Sequence, residues 1–126
     1  MVKMIVLKDR EEWLQHRNRI GGSDAAAIVN MNPYRSNMEL WQIKTGQLEQ
    51  EDISDKPYVK YGIEAELHLR ALFQLNHPQY EMHYEENNMF LNDKYPFGHA
   101  SLDGWLVDAD GRKGVWECKT TNIMQS

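Results

Sequence analysis

The feature that most constrains the fold is a change in hydrophobic period near Pro78. From about Pro57 to Asn76, apolar side chains recur at steps of three and four residues, the spacing of one helix face. This apolar stripe consists of Tyr61, Ala65, Leu69, Leu72 and Phe73. Pro78 ends the helical pattern, and the residues that follow favour strands. A long helix packed on strands predicts an α/β or α+β fold.

Shorter helices are predicted in the N-terminal half of the chain. Three polar residues that can cap a helix each precede a segment with apolar patterning. These caps are Asp9, Ser23 and Ser36. We therefore expect helices over about 10–18 and 24–29, and a third that Gly46 closes. One or two short strands are expected between Tyr80 and Leu91.

The C-terminal part predicts a β-hairpin that carries two carboxylates. Strands are expected over 98–107 and 114–121, with 108–111 as the turn between them. If the hairpin is symmetric about its turn, Asp103 lies opposite Glu117. Like charges on adjacent strands are unfavourable, so this arrangement needs a compensating cation or full exposure to water, and a metal ion is the natural compensator. Oxygen ligands without Cys or His side chains suit Mg²⁺ or Mn²⁺.

Two further residues, Glu66 and Lys119, complete the predicted hydrolytic site. Glu66 lies at the edge of the apolar stripe of the long helix, where a carboxylate is costly unless it meets a metal or a lysine. Asp103 and Glu117 would hold the metal with the backbone carbonyl of Cys118, and Glu66 would bind through water or a second metal. Lys119 would orient or deprotonate the attacking water and stabilise developing charge.

Length and composition limit the function classes. At 126 residues, the chain is expected to form a single domain. It has neither a long apolar run nor a signal-peptide pattern, which predicts a cytoplasmic protein with no membrane association. The lone Cys118 cannot form an intramolecular disulfide or a cysteine-based zinc site. A net charge of −5 argues against broad, non-specific coating of nucleic acid, but it allows a nuclease with a local basic strip.

Several short segments together resemble a known nuclease family. Ser101–Gly104 and Glu117–Thr120 look like the signature of the PD-(D/E)XK nuclease superfamily. The N-terminal half makes this resemblance specific through five further matches: Arg19–Ala25, Asn32–Tyr34, Leu40–Trp41, Lys44–Gly46, and Gly62 with Glu66. Over about residues 10–122, the chain resembles the YqaJ-like viral recombinase family, relatives of phage lambda exonuclease.

The resemblance implies a fold and site residues. The fold would be a PD-(D/E)XK, restriction-endonuclease-like core with N-terminal helices packed on a small mixed sheet. Residues 1–126 would form one exonuclease-type domain that lacks the C-terminal strands and helix of the family. Asp103, Glu117 and Lys119 fall on metal and catalytic positions, and Glu66 falls on the helix carboxylate. Arg17 and Ser23 match the region that binds the 5′-phosphate of DNA in the family.

The resemblance also implies an activity. The protein would be a Mg²⁺-dependent phage or prophage exonuclease of a bacterial host, digesting linear duplex DNA from 5′ to 3′ for recombination. Its partners would be DNA ends, a single-strand annealing protein and further copies of itself. Two alternatives stay open: a catalytically silent module for DNA-end binding or assembly, and an endonuclease or junction resolvase of the same superfamily.

Overall fold

The structure, a computed structural model, describes residues 2–16, 18–50, 53 and 55–121. Nine helices and strands and one short 3₁₀ turn follow one another in these ranges. In chain order they are β1 (Val2–Val6), α1 (Arg10–Gln15), the 3₁₀ turn (Gly22–Asp24), α2 (Ala25–Ile28), α3 (Asn37–Lys44), α4 (Pro57–Asn76), β2 (Glu81–His83), β3 (Asn88–Asn92), β4 (Gly104–Val107) and β5 (Lys113–Trp116). The fold is therefore mixed α+β, as predicted.

The chain divides into two compact units. The first comprises Met1–Glu51 and Glu86–Ser101, and the second comprises Asp52–Glu85 and Leu102–Ser126. That the whole chain acts as a single domain stays a prediction. None of the helices in the described ranges combines the length and the apolar character needed to cross a bilayer.

The first unit is built on a two-stranded antiparallel sheet. Strand β1 pairs with β3, in a register that runs from Val2 opposite Asn92 to Val6 opposite Asn88. Sequence analysis overlooked β1. The buried apolar side chains of the described residues belong to this unit, and they are Leu7, Ala27, Leu40 and Met89. Small helices and one strand pair thus share a common core.

The second unit packs the long helix α4 against a three-stranded antiparallel sheet of order β2-β4-β5. The rings of Phe73 on α4 and Trp116 on β5 meet edge to face, with centroids 6.1 Å apart. The Gln74 side chain fastens α4 to the start of β2, because its Oε1 accepts the Met82 N–H at 2.8 Å. Helix and sheet are therefore held by both apolar and polar contacts.

Most predicted helix boundaries are confirmed. Helix α4 spans the predicted residues, and α3 begins after Ser36, whose Oγ accepts the Glu39 N–H at 3.1 Å. Gly46 follows α3 with a φ of 79°, the left-handed conformation that favours glycine. Helix α1 begins as predicted but ends earlier, at Gln15.

The prediction that Ser23 caps a helix is wrong. Ser23 lies inside the 3₁₀ turn, whose N-cap is Gly21, and the N-cap of α2 is Asp24. The Asp24 carboxylate accepts the Gly21 N–H at 2.9 Å and also binds Lys44 Nζ at 3.1 Å. The buried Asp24 side chain thus stabilises the turn that precedes α2.

The strand predictions need two corrections. Strand β4 begins at Gly104 instead of residue 98, and β5 ends at Trp116 instead of residue 121. The expected mixed sheet is also wrong, because the strands of the described ranges form two antiparallel sheets. The physical reason is that β3 pairs with β1, while β2 pairs with the hairpin strand β4.

Candidate active site

The candidate site lies in the second unit, where the hairpin of β4 and β5 opens. Gly104 pairs with Trp116 and Val107 pairs with Lys113, so the symmetric register is confirmed. Continued by one residue, this register places the backbone of Asp103 opposite that of Glu117. The Cys118 N–H donates to Asp103 Oδ2 at 2.9 Å. The Asp103 side chain therefore ties the open end of the hairpin together.

Helix α4 brings Glu66 to the same place. Glu66 is 23% exposed, and the Asp103 carboxyl group is close enough to interact with it. Burial raises the pKa of Glu66, and the nearby charge of Asp103 raises it further. The charge of Arg70 partly opposes this effect. Glu66 and Asp103 thus form a pair of electrostatically coupled carboxyl groups.

Arg70 is part of this arrangement, although sequence analysis missed it. Its Nη1 donates to Glu66 Oε1 at 2.9 Å and to the Asp103 carbonyl oxygen at 3.0 Å. Its guanidinium carbon lies 3.7 Å from the centroid of the Tyr84 ring, and the side chain is only 13% exposed. The four-residue spacing from Glu66 was the available signal, because side chains at that spacing meet on a helix.

The inward face of α4 differs from the predicted stripe. Tyr61 is 70% exposed and Leu72 is 51% exposed, so these two side chains point away from the sheet. Glu66, Arg70 and Phe73 lie on the less exposed face instead. A charged pair at helical spacing therefore takes part of the face that the apolar pattern assigned to hydrophobic residues.

Glu117 and Lys119 form a second pair at the open end of the hairpin. Lys119 Nζ lies 3.0 Å from Glu117 Oε1, and the two side chains are 83% and 64% exposed, respectively. The hydrogen bond that Lys119 donates to Glu117 raises the pKa of Lys119, and the negative charge of Glu117 raises it further. The ammonium group is therefore held in its protonated form.

The predicted catalytic residues thus come together as two pairs. In the parts of the chain that the structure describes, no three His, Cys, Asp or Glu side chains cluster closely enough to enclose a metal ion. The coupled carboxyls of Glu66 and Asp103 nevertheless fit a hard divalent cation, because they supply oxygen donors whose mutual repulsion a cation would relieve. The exposed Glu117 side chain would need to exchange Lys119 for that cation.

Ser23, one of the two predicted phosphate-binding residues, belongs to the first unit. Ser23 is exposed in the 3₁₀ turn. Arg17 lies outside the described residues. Their role in binding a 5′-phosphate stays a prediction.

Comparison with known proteins decides the family. The family model of the YqaJ-like viral recombinase domain matches residues 12–126. The chain belongs to this family. It is also 33% identical over 119 residues to a protein of Bacillus subtilis strain 168, named uncharacterized protein YqaJ. That alignment covers 90% of this chain and 34% of the relative, so the chain spans about a third of the relative's length. No solved structure matches the chain.

Family membership confirms the resemblance inferred from the sequence. The matched range contains both residue pairs of the candidate site and also Ser23. The catalytic and metal-binding roles of Glu66, Asp103, Glu117 and Lys119 stay predictions.

Proposed function

We propose that this member of the YqaJ-like viral recombinase family is a metal-dependent deoxyribonuclease with a PD-(D/E)XK core, which degrades linear duplex DNA from 5′ to 3′ during recombination. The observation that carries the proposal is the coupled carboxyl pair of Glu66 and Asp103 at the open end of the hairpin. Glu117 and Lys119 follow on that same hairpin. Carboxylates beside a lysine are the parts that metal-assisted phosphodiester hydrolysis needs.

The proposed metal ligands are Asp103, Glu66, Glu117 and the backbone carbonyl of Cys118. When bound there, Mg²⁺ or Mn²⁺ would supply Lewis acidity toward the phosphate and increase the acidity of a bound water. The Cys118 N–H fixes the Asp103 carboxylate through Oδ2. A hydrogen-bonded carboxylate is held in one orientation before the substrate arrives.

Lys119 would act as a source of positive charge. Its pKa is raised by Glu117, so the ammonium does not readily deprotonate water near neutral pH. Released from Glu117, it would donate a hydrogen bond to a phosphate oxygen and stabilise the charge that develops there. Of the two roles predicted for Lys119, we therefore propose charge stabilisation.

Specificity for DNA ends is proposed to come from the first unit. Ser23 and Arg17 would bind the 5′-phosphate and so position the strand by its end. A single-strand annealing protein, further copies of the chain and a location in the bacterial cytoplasm complete the proposal. Because the chain spans about a third of its Bacillus subtilis relative, these whole-protein properties are proposals too.

The decisive test titrates Mg²⁺ or Mn²⁺ into a 5′-phosphorylated linear duplex and measures release of nucleotides. We expect release from the wild type, with a loss of at least about a hundredfold in Lys119→Ala, the scale of losing one charge-stabilising donor. Lys113→Ala is the matched control, because it removes an exposed lysine from the same hairpin without touching Glu117. Relaxed circular DNA should stay intact.

The outcomes separate the competing functions. Binding of DNA ends without release of nucleotides at any metal concentration would support a silent end-binding or assembly module. Cleavage of relaxed circles would instead support an endonuclease or junction resolvase. Equal losses of nucleotide release in Lys119→Ala and Lys113→Ala would show that Lys119 has no specific role in the mechanism.

A further inference from the structure

Arg70 lies in direct contact with the residues that carry the candidate site. It bridges two elements, because its Nη1 reaches both the Glu66 carboxylate on α4 and the main-chain carbonyl of Asp103 before β4. The Tyr84 ring covers the guanidinium at 3.7 Å. With two hydrogen bonds, a stacking partner and 13% exposure, this side chain is fixed in place.

The positive charge of Arg70 offsets the repulsion between the two carboxylates of the site. Two carboxylates side by side in a half-buried place repel each other, and burial weakens the screening by water. A positive charge beside them offsets this repulsion. Arg70 donates to one carboxylate directly and to the backbone of the residue that bears the other. Its charge is therefore placed where a divalent cation would otherwise be required.

We propose that Arg70 is the built-in counter-cation of the Glu66–Asp103 pair: it holds the pair together while no divalent ion is bound, and it limits how tightly that ion binds. This inference rests on the proposed metal-dependent function and adds a positioning residue to it. Arg70 contacts Glu66 and the backbone of Asp103, and its proposed effect on the metal is exerted through these two residues.

The proposal makes two predictions of opposite sign. Removing the charge should destabilise the metal-free protein, because the carboxylates are left to repel each other. The same change should strengthen metal binding, because the ion then meets two carboxylates without a competing positive charge. A purely structural role for Arg70 predicts weaker metal binding, since a disturbed site binds every ligand less well. Metal affinity thus distinguishes the two roles.

The experiment measures Mn²⁺ affinity by calorimetry and thermal unfolding with and without Mn²⁺, both without DNA. We expect Arg70→Gln to unfold at a lower temperature without metal and to bind Mn²⁺ about tenfold more tightly than wild type. Its unfolding temperature should also rise more on adding Mn²⁺. Arg70→Lys keeps the charge and should bind Mn²⁺ within about twofold of wild type.

Arg112→Gln is the matched control. Arg112 also pairs with an acid four residues earlier, Asp108, at 2.7 Å, but it does so at the turn end of the hairpin. Its removal should leave Mn²⁺ affinity unchanged. If Arg70→Gln does not fold without metal, Glu66→Gln/Arg70→Gln removes both charges and should fold again, which supports the proposal.

Each outcome decides between the hypotheses. Equal or weaker Mn²⁺ binding by Arg70→Gln overturns the counter-cation role while leaving the proposed nuclease intact. Failure of the wild type to bind Mn²⁺ overturns the metal site itself, and the role of Arg70 falls with it. A double variant that does not fold shows that Arg70 is needed for reasons other than charge, and it also overturns the proposal.

Discussion

At the scale of single residues, a charged side chain of the second unit can organise its own neighbourhood through local hydrogen bonds. Asp108 shows this at the hairpin turn. Its Oδ1 accepts the N–H groups of Asp110 and Arg112 at 2.9 and 2.8 Å, and its Oδ2 accepts Arg112 Nε at 2.7 Å. The hydrogen bond from the backbone N–H of Arg112 is the main cause of the lowered pKa of Asp108. One carboxylate thus organises the whole turn.

The lowered pKa of Asp108 gives a pH-dependent prediction. A carboxyl group whose pKa is lower in the folded state stabilises the fold above its unfolded pKa of about 3.9, and this contribution is lost as pH falls through the folded pKa. Asp108→Asn should therefore be less stable than wild type at pH 7, and the difference should shrink as the pH is lowered below about 4. Urea unfolding at a series of pH values measures it.

The neighbouring Asp110 provides the comparison for this measurement. Asp110→Asn leaves the backbone hydrogen bonds to Asp108 in place and should change stability much less. A stability difference between Asp108→Asn and wild type that is the same at low and neutral pH would contradict the assignment.

At the scale of elements, helix α3 depends on a cap that the sequence predicted. Ser36 Oγ accepts the Glu39 N–H, which satisfies one of the free donors of the first turn. Ser36→Ala should lower the free energy of unfolding by about 1 kcal/mol. Ser36→Asp keeps an acceptor at this position and should retain most of the stability. Chemical denaturation of the three proteins compares them, and equal stability of Ser36→Ala and wild type would argue that the cap contributes nothing.

Local signals explain why α4 and the hairpin could be predicted. The bounds of α4 follow from its period, from Pro57 at its start and from Pro78 after its end, all of which act within a few residues. The register of the hairpin follows from its short turn. The position of Asp103 opposite Glu117 could therefore be predicted from the sequence.

Non-local contacts explain what could not be predicted. Strand β1 pairs with β3, which lies far along the chain. No local turn links the two strands, so the sequence of β1 does not indicate its pairing partner. Arg70 was missed because a charged residue on a helix is usually exposed. Its burial depends on Tyr84 and on the Asp103 carbonyl, which only the tertiary structure brings to it.

At the scale of the whole molecule, charge limits how the protein would bind DNA under the proposed function. The chain carries a net charge of −5, which disfavours binding along the interior of a duplex, where affinity comes mostly from phosphate contacts. Under the proposed function, affinity must then come from a few placed groups, namely a metal held by carboxylates and the residues that bind the 5′-phosphate. Binding should therefore depend on DNA ends and only weakly on salt.

This expectation can be measured without catalysis, with Ca²⁺ in place of Mg²⁺. We expect a 5′-phosphorylated open duplex to bind at least about tenfold more tightly than the same duplex closed by hairpins at both ends. The decline of affinity with salt should correspond to only about two or three neutralised phosphates, because the slope counts the cations engaged. Ser23→Ala tests recognition of the 5′-phosphate. It should reduce the preference for the 5′-phosphorylated end and leave the weak binding of the closed duplex unchanged. Equal affinity for open and closed duplexes, or a steep salt dependence, would mean that the protein binds along the duplex despite its negative charge.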